Sequence, residues 1–121
     1  RRVKQRSALP VIGLTKSLYG KSKLVLITPS FEDCVKLAEA GADYIAVDAT
    51  GRNGFEHIKR MKNELNVGIV GDLSSIQEAD DAINAGCGML TPALSGYTEE
   101  HQATHDAPPD LELVGQLVRR F

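Results

Sequence analysis

The chain alternates between short, almost wholly apolar runs and longer segments in which apolar residues recur every three or four positions. The runs are Val11-Ile12-Gly13-Leu14-Thr15, Tyr44-Ile45-Ala46-Val47, Val67-Gly68-Ile69-Val70-Gly71 and Met89-Leu90-Thr91-Pro92. Runs that are apolar on both faces predict strands of a parallel sheet covered by helices. Between and after them, Phe31, Cys34, Val35 and Ala38 share a helical stripe, as do Phe55, Ile58, Met61 and Leu65. Ile76, Ala79, Ala82 and Ile83 form a third stripe, and Leu111, Val114, Leu117 and Val118 a fourth. The predicted order is strand then helix, repeated. Leu24-Val25-Leu26-Ile27 is an extra apolar run, read either as a short added strand or as a packed loop.

The element boundaries carry their own signals. Ser30 and Ser75 are placed to accept hydrogen bonds from first-turn amides, and Glu78, three residues after Ser75, completes a capping-box pattern. Asp110 stands behind Pro108-Pro109 as the cap of the last helix. Gly41 and Gly86 provide the left-handed residue that ends a helix. The serine caps and these glycines each recur at a spacing of 45 residues, so two stretches share one helix, glycine, strand plan.

Repeated βα units with right-handed crossovers build either an open doubly wound sheet or part of a (β/α)8 barrel. No GxGxxG or GxxxxGK[ST] follows any strand, which removes the usual nucleotide-binding argument for the open sheet. A complete barrel takes about 250 residues, and this chain has 121. The expected fold is therefore α/β, a partial (β/α)8 TIM barrel with about half of the barrel present. Residues 1–121 are read as one partial domain truncated at both ends, with open parallel edges that need either a second copy or a complementary half barrel.

Composition narrows the function classes. With 42% apolar and 25% charged residues the chain is globular in type, and its net charge of −2 offers no electrostatic attraction for nucleic acid or an anionic membrane. Aromatic residues make up 5% and tryptophan is missing, so base-stacking platforms are not expected. No apolar run is long enough to span a bilayer, and Arg1-Arg2-Val3-Lys4 lacks a signal-peptide core, so a cytoplasmic location is expected. Cys34 and Cys87 follow no CxxC or metal-ligand pattern and read as buried reduced thiols. His101 and His105 have helical metal spacing without the HExxH glutamate and read as surface loop. His57, among Glu56, Lys59 and Arg60, reads as solvated.

Each strand is followed by polar residues that could share one end of the sheet: Lys16, Asp48, Asp72 and Ser95-Gly96-Tyr97-Thr98. In parallel α/β folds that carboxyl end carries the chemistry. Taken as residue types, Lys16 is an exposed lysine at a strand end, Asp72 a helix cap or an active-site acid, Asp48 a structural acceptor or a ligand group, and Ser95-Gly96-Tyr97 a turn or a binding loop.

Leu9-Pro10-Val11-Ile12-Gly13-Leu14-Thr15-Lys16, Ala40-Gly41-Ala42-Asp43 through Val47-Asp48-Ala49-Thr50 with Arg52, Gly71-Asp72-Leu73-Ser74-Ser75, and above all Leu94-Ser95-Gly96-Tyr97-Thr98 occur in that order. Together they resemble the N-acetylmannosamine-6-phosphate 2-epimerase family over nearly the whole chain. The resemblance implies a (β/α)8 barrel, here from its third strand to its sixth helix. The implied activity is interconversion of N-acetylmannosamine 6-phosphate and N-acetylglucosamine 6-phosphate in amino-sugar catabolism. The partner is then a small amino-sugar phosphate, and no cofactor is required, because the C2 proton is acidified by the neighbouring aldehyde of the open-chain sugar. Lys16 and Asp72 match the catalytic lysine and an active-site aspartate, while Asp48, Arg52, Ser95, Gly96 and Tyr97 match substrate-side positions.

There are departures. Gly51-Arg52-Asn53-Gly54 replaces a longer loop with two arginines and prolines, and Thr91-Pro92-Ala93 differs from the usual threonine pair. The family's catalytic glutamate and phosphate-binding loops belong to strands beyond this stretch. Two other readings stand beside the epimerase: an aldolase-type barrel in which Lys16 forms a Schiff base, and a non-catalytic half barrel that binds a sugar phosphate or associates with itself.

Overall fold

The computed structural model describes residues 7–18, 25–52, 54–96 and 109–121. Its centre is a four-stranded parallel sheet of β1 (Ile12–Gly13), β4 (Tyr44–Asp48), β5 (Gly68–Asp72) and β6 (Met89–Thr91), in that spatial order. β2 (Lys16–Leu18) and β3 (Val25–Ile27) form a separate antiparallel pair. The helices are α1 (Phe31–Glu39), α2 (Glu56–Glu64), α3 (Ala79–Ala85) and α4 (Leu111–Arg120), and a 3-10 turn over Ile76–Glu78 leads into α3.

Alternation along the strands sorts the interior into two layers. Ile45, Val47 and Ile69 point to one face, where they meet Cys34 of α1, Ile58 and Met61 of α2, and Ala79, Ala82 and Ala85 of α3. Ala46 and Val70 point to the other face, where Val25 and Ile27 of β3 and Leu94 cover them. Helices α1 to α3 thus pack on one side of a sheet whose strands are ordered as they occur in the chain. Over the described residues that is single winding, with no helix on the second face.

Local chemistry placed most boundaries as expected. Ser30 Oγ accepts from Asp33 N at 3.2 Å, and Asp110 Oδ1 accepts from Leu113 N at 2.9 Å. Gly41 and Gly86 have φ of 97° and 131° and end α1 and α3. The stripe of Phe55, Ile58, Met61 and Leu65 faces the core, and both cysteines are buried, free thiols.

Helix α4 departs from its expected phase. Leu113 is buried and Leu117 packs on the core, whereas Leu111 and Val118 are each 73% exposed. Two apolar stripes overlap in Leu111-Glu112-Leu113-Val114-Gly115-Gln116-Leu117-Val118, and periodicity alone does not choose between them. The Asp110 cap, together with an ion pair from Arg120 to Asp80 of α3, holds the helix in the orientation that buries the Leu113 and Leu117 pair. Ile83 likewise lies on the exposed side of α3, and Ala85 takes the inward place. No helix among the described residues is long and apolar enough to cross a membrane.

Candidate active site

Asp48, Asp72 and Thr91 are the last residues of β4, β5 and β6. The register pairs Asp48 with Asp72 and Asp72 with Thr91, so the three side chains form one polar row on the face carrying Ala46 and Val70. Asp72 is 4% exposed. Burial raises its carboxyl to about 6; a hydrogen bond from Thr91 Oγ1 opposes that rise, and the negative charge of Asp48 adds to it. The capping alternative for Asp72 is not what the structure shows. Glu78 takes that work, accepting from Ser74 N at 2.7 Å, Ser74 Oγ at 2.6 Å and Ser75 N at 3.1 Å.

Asp48 is held on both oxygens. Its Oδ1 accepts from Thr50 N at 2.9 Å and Thr50 Oγ1 at 2.7 Å, and its Oδ2 accepts from Arg52 Nε at 2.6 Å. Arg52 Nη2 donates onward to the Val25 carbonyl at 2.5 Å. The pair therefore clasps the β4 loop to the β2-β3 hairpin, and structural acceptor is the role the geometry gives Asp48. His57, expected in solvent, is half-buried, with Nε2 3.1 Å from the Asp48 carbonyl.

Lys16 does not extend the first parallel strand. β1 pairs with β4 only at Ile12 and Gly13, and the chain then leaves the sheet. Thr15 N donates to Thr28 Oγ1 at 3.1 Å and Thr28 N to the Thr15 carbonyl at 2.9 Å, closing the base of the β2-β3 hairpin. The extra apolar run is thus an added strand. Its Val25 and Ile27 are buried against the sheet, and that burial favours the antiparallel pairing over a longer β1. Lys16 sits opposite Ile27, and cross-strand partners project from one face, which here is the face Ile27 turns to Ala46 and Val70. The lysine is exposed and makes no hydrogen bond or ion pair with a described residue, Asp72 included.

Ser95 Oγ donates to Asp110 Oδ2 at 2.6 Å, which fastens the loop after β6 to the cap of α4. That bond and the Leu113 amide hold the Asp110 carboxyl below its ordinary value. Gly96 has φ of 83°, a turn geometry that favours glycine. Tyr97, His101 and His105 lie outside the described residues. A cleft of about 480 Å³ opens between Thr50, Gly51 and Phe55 on one side and Ser75, Gln77, Glu78 and Asp81 on the other, and none of the candidate catalytic or substrate-side residues is among these. Thr91, Thr50 and the Val25 carbonyl were missed. Thr91 carried one usable signal, as the only polar residue in Met89-Leu90-Thr91.

Residues 1–120 match the protein family described as "Putative N-acetylmannosamine-6-phosphate epimerase". The chain belongs to this epimerase family. Among its relatives is a protein of Thermosynechococcus vestitus named "Putative N-acetylmannosamine-6-phosphate 2-epimerase", 41% identical over 98% of this chain and 53% of the relative. A second protein of that name, from Caldanaerobacter subterraneus, is 35% identical over 98% of this chain and 52% of its own length. The "Bifunctional enzyme NanE/NanK" of Brucella melitensis is 40% identical over 95% of this chain and 22% of its own. The chain spans about half the length of the 2-epimerase relatives it matches. This member of the epimerase family therefore carries a row of buried Asp48, buried Asp72 and half-buried Thr91 at the carboxyl edge of its sheet, with Lys16 on the hairpin over the same face.

Proposed function

We propose that this chain forms part of the active site of an epimerase that interconverts N-acetylmannosamine 6-phosphate and N-acetylglucosamine 6-phosphate. The singly wound sheet is read as about half of a (β/α)8 barrel, with the face bearing Ala46 and Val70 as the barrel interior. The observation that carries the proposal is the buried Asp72, whose proton affinity lies close to neutrality, at the carboxyl end of a sheet in a chain of this family. A carboxyl group poised there can both give and take a proton.

In the proposed reaction the C2–H bond of the open-chain sugar breaks, its electron pair moves into an enolate on the aldehyde oxygen, and a proton returns to C2 from the opposite face. Lys16 and Asp72 are the proposed acid/base groups of this chain. Inversion needs its two groups on opposite sides of the carbon, so the lack of a direct bond between them accords with that division of labour. Arg52 Nη1, which has no bond to a described residue, is available to a sugar oxygen. Asp48 holds Arg52 in place, Ser95 and Gly96 belong to the loop after β6, and Tyr97 is proposed as a further substrate contact from the family match alone. Two buried, unpaired thiols suit a reducing, cytoplasmic setting.

The test is proton NMR of N-acetylmannosamine 6-phosphate in D2O with this chain and with Lys16→Ala. The C2 proton signal is expected to vanish as the N-acetylglucosamine 6-phosphate spectrum grows, and the variant should abolish both changes. A folded sample that leaves the C2 signal intact refutes activity of this stretch by itself. Borohydride trapping of substrate on Lys16 would instead establish Schiff-base chemistry.

A further inference from the structure

The donors around the Asp72 carboxylate are unusually few. Ala49 N is committed to the Asp72 carbonyl at 3.0 Å, Leu73 N to the Thr91 carbonyl at 2.7 Å, and Pro92 has no N–H to offer. Among the described residues, Thr91 Oγ1 is the only donor to this carboxylate, and it holds Oδ1. No fully buried side-chain oxygen among the described residues lacks a partner, so Oδ2, which has none, retains contact with solvent. One oxygen is anchored and the other is left open.

We infer that Thr91 is the positioning residue for Asp72: its hydroxyl anchors one carboxylate oxygen so that the other is presented to the substrate. This rests on the reading of Asp72 as an acid/base group. The hydroxyl has a second consequence, because a hydrogen bond donated to a carboxylate favours the ionised form. It opposes burial and the charge of Asp48, which faces Asp72 from β4 with its Arg52 partner. The other titratable group beside Asp72 is Cys87, whose thiol is pushed up to about 12 by burial and then by the charge of Asp72. None of these donates to the carboxylate.

The experiment is a carbon-13 NMR titration of Asp72 in the whole chain without substrate, its resonance assigned by Asp72→Asn, in wild type, Thr91→Val, Thr91→Ala and Thr91→Ser. Loss of the hydroxyl in the valine and alanine variants is expected to raise the midpoint by about one to two pH units, the scale of a hydrogen bond to a charged group. Serine should restore it to within a few tenths of a unit. A wild-type midpoint in whichever of the valine or alanine variants folds overturns the proposal, as does a serine variant displaced as far as alanine. The titration needs no turnover, so a failed C2 exchange, which would refute activity of this stretch by itself, leaves this result untouched.

Discussion

Asp72 sits in a place that works against folding at neutral pH. Its ordinary carboxyl value of 3.8 is raised to about 6 by burial, so between those values the folded chain binds more protons than the unfolded one. Stability from this group is fully present below the unfolded value and is lost as pH rises through 6. Complete ionisation in the folded state costs up to about 3 kcal/mol. Asp72→Asn keeps an acceptor for Thr91 and removes the charge. Thermal unfolding should therefore show the variant more stable than wild type at pH 7.5, with the advantage shrinking to nothing near pH 4. An equal Tm for the two proteins at pH 7.5 would sink this account. A stabilising substitution at the proposed acid/base residue is also what a site kept for chemistry leads one to expect.

Among the elements, the β2-β3 hairpin depends on a contact from outside itself. Two three-residue strands are marginal by themselves, and Val25 and Ile27 supply apolar anchorage while Arg52 ties the Val25 carbonyl to Asp48. Replacing Arg52 with Gln removes the charge from a pair in which Asp48 is buried. The expected destabilisation is about 2–3 kcal/mol, moderated by the partial exposure of the arginine. Amide exchange should rise first over Lys16–Leu18 and Val25–Ile27, whereas unchanged protection there would show that apolar packing alone holds the hairpin. This clasp was hidden in the sequence because Arg52 and Val25 are 27 residues apart and the acceptor is a main-chain carbonyl, which no residue type announces. The capped helices were legible because Ser30, Glu78 and Asp110 act within one turn of their targets.

At the scale of the whole molecule, β1 and β6 each pair on one side only among the described residues, which also leave the face they border incompletely covered. Ile12 is 56% and Met89 41% exposed, although their register partners Tyr44 and Val70 belong to the apolar layer. Unpaired parallel edges beside exposed apolar side chains invite another sheet. Sedimentation velocity on this chain should accordingly show concentration-dependent association, and the double substitution Ile12→Lys and Met89→Lys should return it to monomer. A stable wild-type monomer at every concentration would mean that these edges are satisfied within the chain. The association sought here is the sequence's expectation of a partner half barrel, restated as a surface that can be measured.

The sequence by itself determined the order of the parallel strands and helices, the caps and the family, because hydrophobic period, first-turn hydrogen bonds and motif order are properties of neighbours along the chain. It also brought Asp48 and Asp72 forward, since each closes an apolar run. Tertiary structure decided the rest. Strand register set Thr91 beside Asp72, competition between two packings drew Lys16 out of the parallel sheet into a hairpin, and the Asp110 cap with its Arg120 to Asp80 tie selected the buried stripe of α4. Each of those outcomes turns on contacts between residues far apart in the chain. Their energies depend on which surfaces meet, and local pattern does not encode that.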